Sequence, residues 1–554
     1  MSQQIEIKCL NNHLYKSYNR GITLKEVAKD QNIETRSEIL GALVNNSLEQ
    51  LPFELFHPKT VEFIDITHPD GMRMYIRSLS FLLYYAVEKI LPGTKLRVEH
   101  SVSKGVYCEL DGPDDVSFEQ ITKLGEYMRT LVQRDLPFEY FQKETEKVIE
   151  LFKEQDFEDK IGLIESRGQN YTSYYQLEDT VASFYGYLVP STGYLKVFDV
   201  NKYYNGILLQ IPKRFQPEEV EDLVIQNKMF EIFQEYGHWN KVLDVTNIHD
   251  LNNLQSQQKA ESLIKVSEAF HEKKIGHIAD MISDKSDHVR IILISGPSSS
   301  GKTTFSKRLA IQLMVNGLKP HTLSLDNYFV DREKTPLDEN GEYDFEALDA
   351  LDIEQFNQDL SLLLKGEEVE LPKFSFETGK RYYDGSKTQL NDKDILVIEG
   401  IHGLNPELTR NITDSFKFKI YVSALTSINL DNHNRIPTTD NRLVRRIVRD
   451  YNYRSYSAQD TLSRWQSVRR GEDKHIFPYQ EEADVMFNTA LLFELAVLKP
   501  LVEPMLLEVA HNTPEYAEAS RLLYFFSHFK SINEKSIPPT SIIREFLGGS
   551  SFKY

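Results

Sequence analysis

The strongest constraint on the fold is a glycine- and serine-rich segment that follows an apolar run at residues 290–295 and precedes a helix-compatible stretch. It reads Gly296-Pro297-Ser298-Ser299-Ser300-Gly301-Lys302-Thr303, and Thr304 follows it. A strand, a tight loop and a helix in this order present backbone N–H groups at a helix N-terminus, where the dipole favours anions. The spacing G-x-x-x-x-G-K-[ST] predicts a P-loop that wraps a polyphosphate, with Lys302 on the β- and γ-phosphates and Thr303 on Mg²⁺.

Strand and helix patterns alternate after this loop. A helix-compatible stretch at residues 302–315 ends before Gly317, a residue that often terminates helices. Runs with strand character follow at residues 321–325, 394–398, 416–422 and 484–488. Alternation of this kind predicts a parallel sheet flanked by helices, with ligands at the carboxyl ends of the strands. We therefore predict an α/β fold from about residue 286 onward.

Two acidic residues directly follow strands of this predicted sheet. Asp326 lies where a carboxylate can accept the proton of an attacking hydroxyl during phosphoryl transfer. Glu399 precedes Gly400 and lies where a carboxylate can help to hold Mg²⁺. From the residues alone, two other interpretations stay open: Asp326 begins a turn or caps a helix, and Glu399 faces solvent.

A basic stripe lies further along the chain. Arg442, Arg445, Arg446 and Arg449 recur at helical spacing, and apolar residues occupy the opposite face. Guanidinium groups pair bidentately with phosphate oxygens, so the stripe predicts a phosphate clamp. The alternative is a solvated helix face that pairs with acidic residues.

In order and spacing, these segments resemble the uridine kinase and phosphoribulokinase family of P-loop kinases over about residues 286–500. The resemblance is carried by residues 296–303, 324–329, 343–346, 371–376, 399–400 and 442–450. It implies a kinase that uses ATP and Mg²⁺, with the P-loop and Thr304 on the nucleotide and Thr303 with Glu399 on the metal. It also implies that Arg442, Arg445 and Arg449 close over the transferred phosphoryl group.

The same resemblance implies roles on the acceptor side. Asp326 would activate a 5′-hydroxyl, and Glu346, next to Phe345, would hold a ribose diol. The spacing of Glu346 alone does not indicate a functional role. Phe374 and Phe376 would stack on a base, with core packing as the alternative.

The sequence departs from the family pattern in this part of the predicted site. Family members carry Tyr-Asp-Phe-x-x-His here, whereas this chain has the sequence FSFETG at residues 374–379. The imidazole that reads a pyrimidine is absent. The base of the substrate is therefore undetermined.

The N-terminal half has a different pattern. Residues 5–8 and 61–64 predict strands, and residues 24–28 predict a helix with Thr23 as its N-cap. Further on, residues 75–90 predict an amphipathic helix, and residues 118–155 predict a charged helical segment. We expect two mixed α/β regions, with strand-rich sequence at residues 98–110 and 194–211.

Residues 1–66 resemble a TGS module with a β-grasp-like fold, and residues 67–212 resemble the α+β editing domain of threonyl-tRNA synthetase, most clearly at VPSTG, residues 189–193. That family edits with two histidines on a helix and with a cysteine and a histidine near this motif. The corresponding positions here are Arg77, Phe81, Phe184 and Leu188. None of these residues supplies that chemistry. The resemblance therefore implies a scaffold without editing activity.

Composition narrows the class of protein. A formal net charge of −19 argues against non-specific binding of nucleic acid or an anionic membrane over the whole surface. It does not exclude a local basic site. The two cysteines, Cys9 and Cys108, form no disulfide or metal-ligand pattern. The sequence has neither a signal-peptide pattern nor an apolar run long enough to span a membrane. We expect a cytoplasmic enzyme.

We predict four regions: residues 1–66, residues 67–212, a mostly helical connector at residues 213–285, and the kinase with a C-terminal extension at residues 286–554. The predicted activity is ATP-dependent phosphorylation of the 5′-hydroxyl of a nucleoside. One alternative is a kinase for another polyol or a sugar phosphate. Another is an RNA-binding regulatory protein that uses nucleotide as a switch. The oligomeric state stays open.

Overall fold

The computed structural model describes residues 4–113, 115–338, 341–391 and 393–553. The first region is a five-stranded mixed sheet whose strands run, in spatial order, Tyr15–Asn19, Gln4–Cys9, Lys59–Ile64, Gly41–Val44 and Ser47–Gln50. Its second and third strands pair in parallel, as in a β-grasp fold. The helix Leu24–Asp30 packs on this sheet, and Thr23 caps it with Glu26 in a capping box, which confirms the predicted N-cap.

The second region packs the buried helix Pro69–Ile90 against an antiparallel sheet. The strands of this sheet are, in spatial order, Asp199–Tyr203, Gly206–Gln210, Gly105–Asp111 and Lys95–Val102. A smaller sheet contains Glu139–Glu144, Tyr171–Leu177 and Thr180–Ala182. The remaining helices are Phe118–Arg134, Thr145–Lys153 and Glu158–Arg167.

The prediction of one helical segment over residues 118–155 is wrong. The first helix ends at Arg134 because Asp135 adopts a left-handed φ of 51° and Pro137 follows two residues later. The chain then enters the strand Glu139–Glu144 before helix resumes at Thr145. Charge pattern alone did not reveal this interruption, because the strand is mostly solvent-exposed and has no apolar alternation.

Three helices lead to the C-terminal part: Asn227–Val242, Ile248–Ser256 and Ala260–Ser283. The first lies between the two halves of the chain: Phe230 packs with Tyr107 and Tyr203, whereas Phe233 packs with Leu404 and Tyr421. The helix Ala260–Ser283 packs through its apolar face on the helix that follows the P-loop. No helix in the described ranges is long and apolar enough to cross a lipid bilayer.

The C-terminal part is built on a parallel sheet of strands β1 to β5, in spatial order β2-β3-β1-β4-β5. The strands are β1 Ile291–Ser295, β2 Lys319–Ser324, β3 Asp394–Glu399, β4 Lys417–Ser423 and β5 Val485–Asn488. The helices are α1 Lys302–Val315, α2 Ile353–Leu364, α3 Thr438–Arg454, α4 Ala458–His475, α5 Glu494–Leu507, α6 Tyr516–Phe526 and α7 Arg544–Leu547. The predicted α/β fold is confirmed.

Strand β1 lies at the centre of this sheet, and all five of its residues are buried. Helices cover both faces of a parallel sheet, so a central strand carries a run of apolar residues, here residues 291–294, and shows no alternation. The chain leaves the carboxyl end of β1 through the P-loop and enters α1. The ends of β2 and β3 lie on the same edge of the sheet, because all the strands are parallel. This edge collects the predicted site residues.

Candidate active site at the carboxyl edge of the parallel sheet

The phosphate loop requires glycine at both ends. A Cβ at Gly296 would overlap the carbonyl oxygen of Val422 in β4. Gly301 has a φ of 84°, and a Cβ there would lie 2.6 Å from Cγ2 of Ile542. Between them Ser299 also adopts a left-handed φ of 59°. The loop is therefore held in the curved conformation that turns backbone N–H groups inward to an anion.

Polar groups without an internal partner lie in this loop. The hydroxyls of Ser299 and Ser300 are buried and have no hydrogen-bond partner within the described ranges. The ammonium of Lys302 donates to the carbonyl oxygens of Gly296 (2.9 Å) and Pro297 (3.1 Å), and burial lowers its pKa. Buried polar groups are rarely left without partners unless a ligand or water completes them. The loop thus fits a polar ligand.

Hydroxyl and carboxylate oxygens lie together at the ends of β2 and β3. The Thr303 hydroxyl lies 3.4 Å from Oε1 of Glu399, and the Ser324 hydroxyl donates to the same oxygen at 3.0 Å. Burial and the charge of Asp326 raise the pKa of Glu399 to about 7. Hard oxygen donors of this kind suit Mg²⁺.

The residues present fit a magnesium ion that is shared with a phosphate substrate. Within the described ranges, no group of three or more His, Cys, Asp or Glu could hold a metal by itself. Mg²⁺ is commonly bound through one or two carboxylates together with substrate phosphates and water. Thr303 and Glu399 supply that kind of donor set.

Asp326 lies in the short 3₁₀ turn Leu325–Tyr328 that follows β2. The turn is capped by Ser324, whose hydroxyl accepts from the Asp326 N–H, so the Asp326 carboxylate is not the capping group. Burial raises the pKa of Asp326, and the positive charges of Lys302, Arg454 and Arg449 oppose that rise. A carboxylate of raised pKa beside cations suits proton transfer.

Glu346 is brought to the same edge by a loop that packs against α4. Its side chain lies on Gly471, where a Cβ would come within 2.6 Å of the Glu346 Cγ. Burial and the charge of Glu472 raise the pKa of Glu346 to about 7, whereas Arg446 and Lys302 lower it. The adjacent Phe345 is exposed. The arrangement directs one carboxylate, and not its aromatic neighbour, to the charged groups of the site.

The arginines of α3 divide into two sets. Arg442 and Arg445 are 1% and 0% exposed. Arg442 pairs with Glu472 and donates to the Ser298 carbonyl at 3.2 Å, and Arg445 pairs with Glu494 at 2.5 Å and donates to Thr489. Both therefore brace the back of the phosphate loop. This placement differs from the predicted contact with a transferred phosphoryl group, and the reason is that their glutamate partners hold them in the core.

The second set faces the site. Arg446 donates to the Ser298 hydroxyl at 2.8 Å. Arg446, Arg449 and Arg454 all pair with Asp450, at 3.2, 3.1 and 3.4 Å. Three cations share one carboxylate, so this cluster keeps net positive charge next to Asp326 and Glu346. Asp450, Glu472 and Glu494 are missing from the site predicted from the sequence, because no helical spacing links them to the arginines except i,i+4 between Asp450 and both Arg446 and Arg454.

An aromatic cluster borders the same edge. Phe374 and Phe376 lie on the hairpin of Lys373–Ser375 and Lys380–Tyr382, with ring centroids 5.3 Å apart. Phe329 joins them, at 5.6 Å from Phe374. The Arg454 guanidinium lies over the Phe376 ring at 5.5 Å. Phe376 is exposed and Phe374 is half-buried, so one aromatic surface remains available to a ligand.

Thr304 completes the predicted nucleotide contacts and already has a protein partner. Its N–H and its hydroxyl both donate to Oε2 of Glu545, at 3.2 and 2.6 Å. Glu545 lies in α7, close to the C-terminal end of the sequence, and no motif indicated it.

In the second region, the four positions predicted to correspond to editing residues make contacts within the protein. The Arg77 guanidinium donates to the Tyr187 carbonyl at 2.9 Å, and the rings of Phe81 and Phe184 lie 5.2 Å apart. Leu188 is buried beside them. The bulky side chains at these positions therefore make core contacts and fill the space between them.

Comparisons with known proteins match the two parts of the chain separately. Residues 291–492 match the Phosphoribulokinase / Uridine kinase family. A uridine kinase from Ureaplasma parvum is 26% identical over 197 residues, which are 35% of this chain and 86% of that kinase. The solved structure of a possible uridine kinase from Bacillus stearothermophilus is 21% identical and covers 36% of this chain and 89% of that one, with a TM-score of 0.25.

The N-terminal region matches a different kind of protein. A threonine–tRNA ligase from Acetivibrio thermocellus is 28% identical over 184 residues, which are 33% of this chain. The matched part spans only 29% of that ligase's length. The chain therefore carries a domain of the phosphoribulokinase and uridine kinase family in its C-terminal part, preceded by a region similar to threonyl-tRNA synthetase.

Proposed function

We propose that this protein is an ATP- and Mg²⁺-dependent kinase that phosphorylates the 5′-hydroxyl of a nucleoside. The observation that carries the proposal is the convergence of Lys302, Asp326 and Glu399 at one edge of the sheet, where the charge of Lys302 lowers the pKa values of both acids and their charges raise the pKa of Lys302. Phosphoryl transfer depends chiefly on positioning and on charge stabilisation, which such a group supplies.

The residues divide the reaction between them. The loop N–H groups and Lys302 bind the donor phosphates, and Arg446, Arg449 and Arg454 offset the negative charge of the transferred group. Thr303 and Glu399 would hold Mg²⁺, which supplies further charge neutralisation between the donor phosphates when it is bound. Arg442 and Arg445 act as positioning residues, because they hold the phosphate loop from behind.

On the acceptor side, Asp326 takes the proton of the attacking hydroxyl. The hydroxyl oxygen forms a bond to the γ-phosphorus, the bond from that phosphorus to the β,γ-bridging oxygen breaks, and ADP leaves with the electron pair. Glu346 accepts hydrogen bonds from two adjacent hydroxyls, which its two carboxylate oxygens permit. The exposed face of Phe376 stacks on the base.

One observation favours a second candidate, a kinase for a sugar phosphate or another anionic polyol. Gly379, where family members carry the base-reading histidine, lies against Arg332: a Cβ there would lie 2.8 Å from the Arg332 Nε. Arg332 donates to the carbonyl oxygen of Phe376 at 2.6 Å. A guanidinium at this position pairs with an anion better than with a neutral pyrimidine.

The test is ADP release by the full-length protein with Mg-ATP against a panel of nucleosides, simple polyols and sugar phosphates. We expect a nucleoside to stimulate ADP release and Lys302→Ala to abolish this stimulation. Stimulation only by a phosphorylated acceptor would support the second candidate. No stimulation by any acceptor would contradict the kinase and favour a regulatory role for nucleotide binding.

A further inference from the structure

The C-terminal turn of the chain is anchored beside the phosphate loop. Ile542, Ile543 and Phe546 are fully buried. Ile542 lies against Gly301, and the Phe546 ring lies under the Arg445 guanidinium at 5.0 Å. The backbone of this turn is therefore fixed by the same residues that brace the loop.

Between these anchors, Glu545 directs its carboxylate to the first turn of α1. Its Oε2 accepts from the Thr304 N–H at 3.2 Å and from the Thr304 hydroxyl at 2.6 Å. A helix N-terminus offers such donors to anions, and in a P-loop the donors of this turn serve the nucleotide phosphates. The negative charge of Glu545 also raises the pKa values of Lys302 and Glu399, so it acts on the centre of the site.

A phosphate and the Glu545 carboxylate cannot share these donors. Both groups are anions that need the same N–H and hydroxyl of Thr304. Two negative charges bound to the same donors would lie close together and repel each other. We propose that Glu545 is an internal competitor of the nucleotide: its carboxylate occupies a phosphate position and must leave it when ATP binds. This inference rests on the proposed function.

Release requires only a rotation of the side chain. Ile542 and Phe546 keep the backbone in place, whereas the Glu545 side chain itself is half-buried and has three rotatable bonds. Each ATP molecule must therefore displace one charge-assisted contact before its phosphates are fully bound. The consequence is a nucleotide affinity set below the value that the loop alone would give.

The experiment compares the Kd of Mg-ATP for the full-length protein and for Glu545→Gln, by titration calorimetry. Glutamine keeps the size of the side chain and an acceptor oxygen for Thr304 but removes the charge. We expect Glu545→Gln to bind ATP roughly tenfold more tightly, the effect of losing one charge-assisted competitor. Glu534→Gln is the matched control, because Glu534 is an exposed acid of the same segment that pairs with Arg544 at 3.3 Å, and it should leave the Kd unchanged.

Unchanged or weaker ATP binding by Glu545→Gln would overturn the proposal. A lower melting temperature of that variant, without tighter binding, would identify Glu545 as a helix cap only and would overturn it equally. Lys302→Ala separates this result from the proposed function. If Lys302→Ala weakens ATP binding while Glu545→Gln does not alter it, the nucleotide site is supported and the role of Glu545 as a competitor is overturned. Absence of ATP binding in all of these proteins would overturn both.

Discussion

At the scale of single residues, the site brings three carboxylates into the field of one ammonium. Burial raises the pKa values of Asp326, Glu346 and Glu399. The charge of Lys302 lowers all three, and their charges raise the pKa of Lys302 in return. Like charges at close range disfavour ionisation, so the charge of Lys302 offsets part of this rise in the pKa values of the acids as well as binding phosphate.

Replacing the proposed base tests the division of roles among these acids. We expect Asp326→Asn to lower turnover by roughly two to four orders of magnitude, because general-base catalysis contributes about that much. Its Kd for Mg-ATP should stay close to that of the natural protein, since Asp326 belongs to the acceptor side. Steady-state kinetics and a binding titration measure the two effects. Asp287→Asn serves as control, because Asp287 is exposed. Turnover retained in Asp326→Asn would show that Asp326 is not the general base.

The pH dependence of acceptor binding tests Glu346. Its raised pKa of about 7 means that the carboxyl is protonated below that pH and becomes a carboxylate above it. The carboxylate accepts on both of its oxygens, whereas protonation turns one of them into a donor, so the KM of the acceptor should fall as pH rises from about 6 to about 8. Glu346→Gln should have a higher KM that lacks this part of the pH dependence. An identical pH profile in both proteins would assign the titration to another group.

At the scale of elements, helix α4 is adapted to the site at the cost of helix propensity. Glycine inside a helix is less favourable than alanine by about 1 kcal/mol. Gly471 lies at such a position because the Glu346 side chain lies on its Cα, in the space where a Cβ would be. Helix α3 shows the complementary adaptation: it buries Arg442 and Arg445 on ion pairs and keeps Arg446 and Arg449 towards the site.

Alanine substitutions at two helix glycines separate these effects. Gly237→Ala, in the helix Asn227–Val242, meets no atom within 4 Å and should raise the free energy of unfolding by roughly 0.5 to 1 kcal/mol. Gly471→Ala should instead displace Glu346 and raise the KM of the acceptor several-fold, with little or no gain in stability. Urea unfolding and acceptor kinetics measure both. Equal behaviour of the two variants would show that Gly471 is only a helix residue.

At the scale of the whole molecule, the two halves are joined by buried charges. Lys160, in the helix Glu158–Arg167, pairs with Asp431 of the C-terminal half at 2.8 Å, and both side chains are buried. A second chain of ion pairs runs from Arg73 through Glu518 and Arg521 to Asp440, in the first turn of α3. The helix that carries the site arginines is therefore tied to the N-terminal half.

Breaking the buried pair should destabilise the junction strongly. Lys160→Met leaves Asp431 charged in the core, and we expect the free energy of unfolding to fall by roughly 3 to 5 kcal/mol. Lys196→Met is the control, because Lys196 pairs with Glu38 at 2.8 Å on the surface and should cost less than about 1 kcal/mol. Urea denaturation followed by circular dichroism compares them. A small effect of Lys160→Met would show that water reaches this pair.

The sequence by itself determined the phosphate loop, the helix that follows it and strands of the parallel sheet. The helix predicted at residues 302–315 is α1 Lys302–Val315, and the runs at residues 394–398 and 484–488 match β3 and β5 within a residue or two. These features depend on local periodicity and on glycine spacing, which neighbouring residues specify. The order of motifs along the chain also indicated the family domain found at residues 291–492.

The tertiary structure decided which polar groups face the site. Arg442 and Arg446 are four residues apart on one helix, yet Glu472 and Glu494 draw Arg442 and Arg445 into the core and leave Arg446 at the loop. Glu545 reaches Thr304 from more than 200 residues further along the chain. Contacts between distant segments follow from packing and from the pairing of buried charges, and neither has a sequence period.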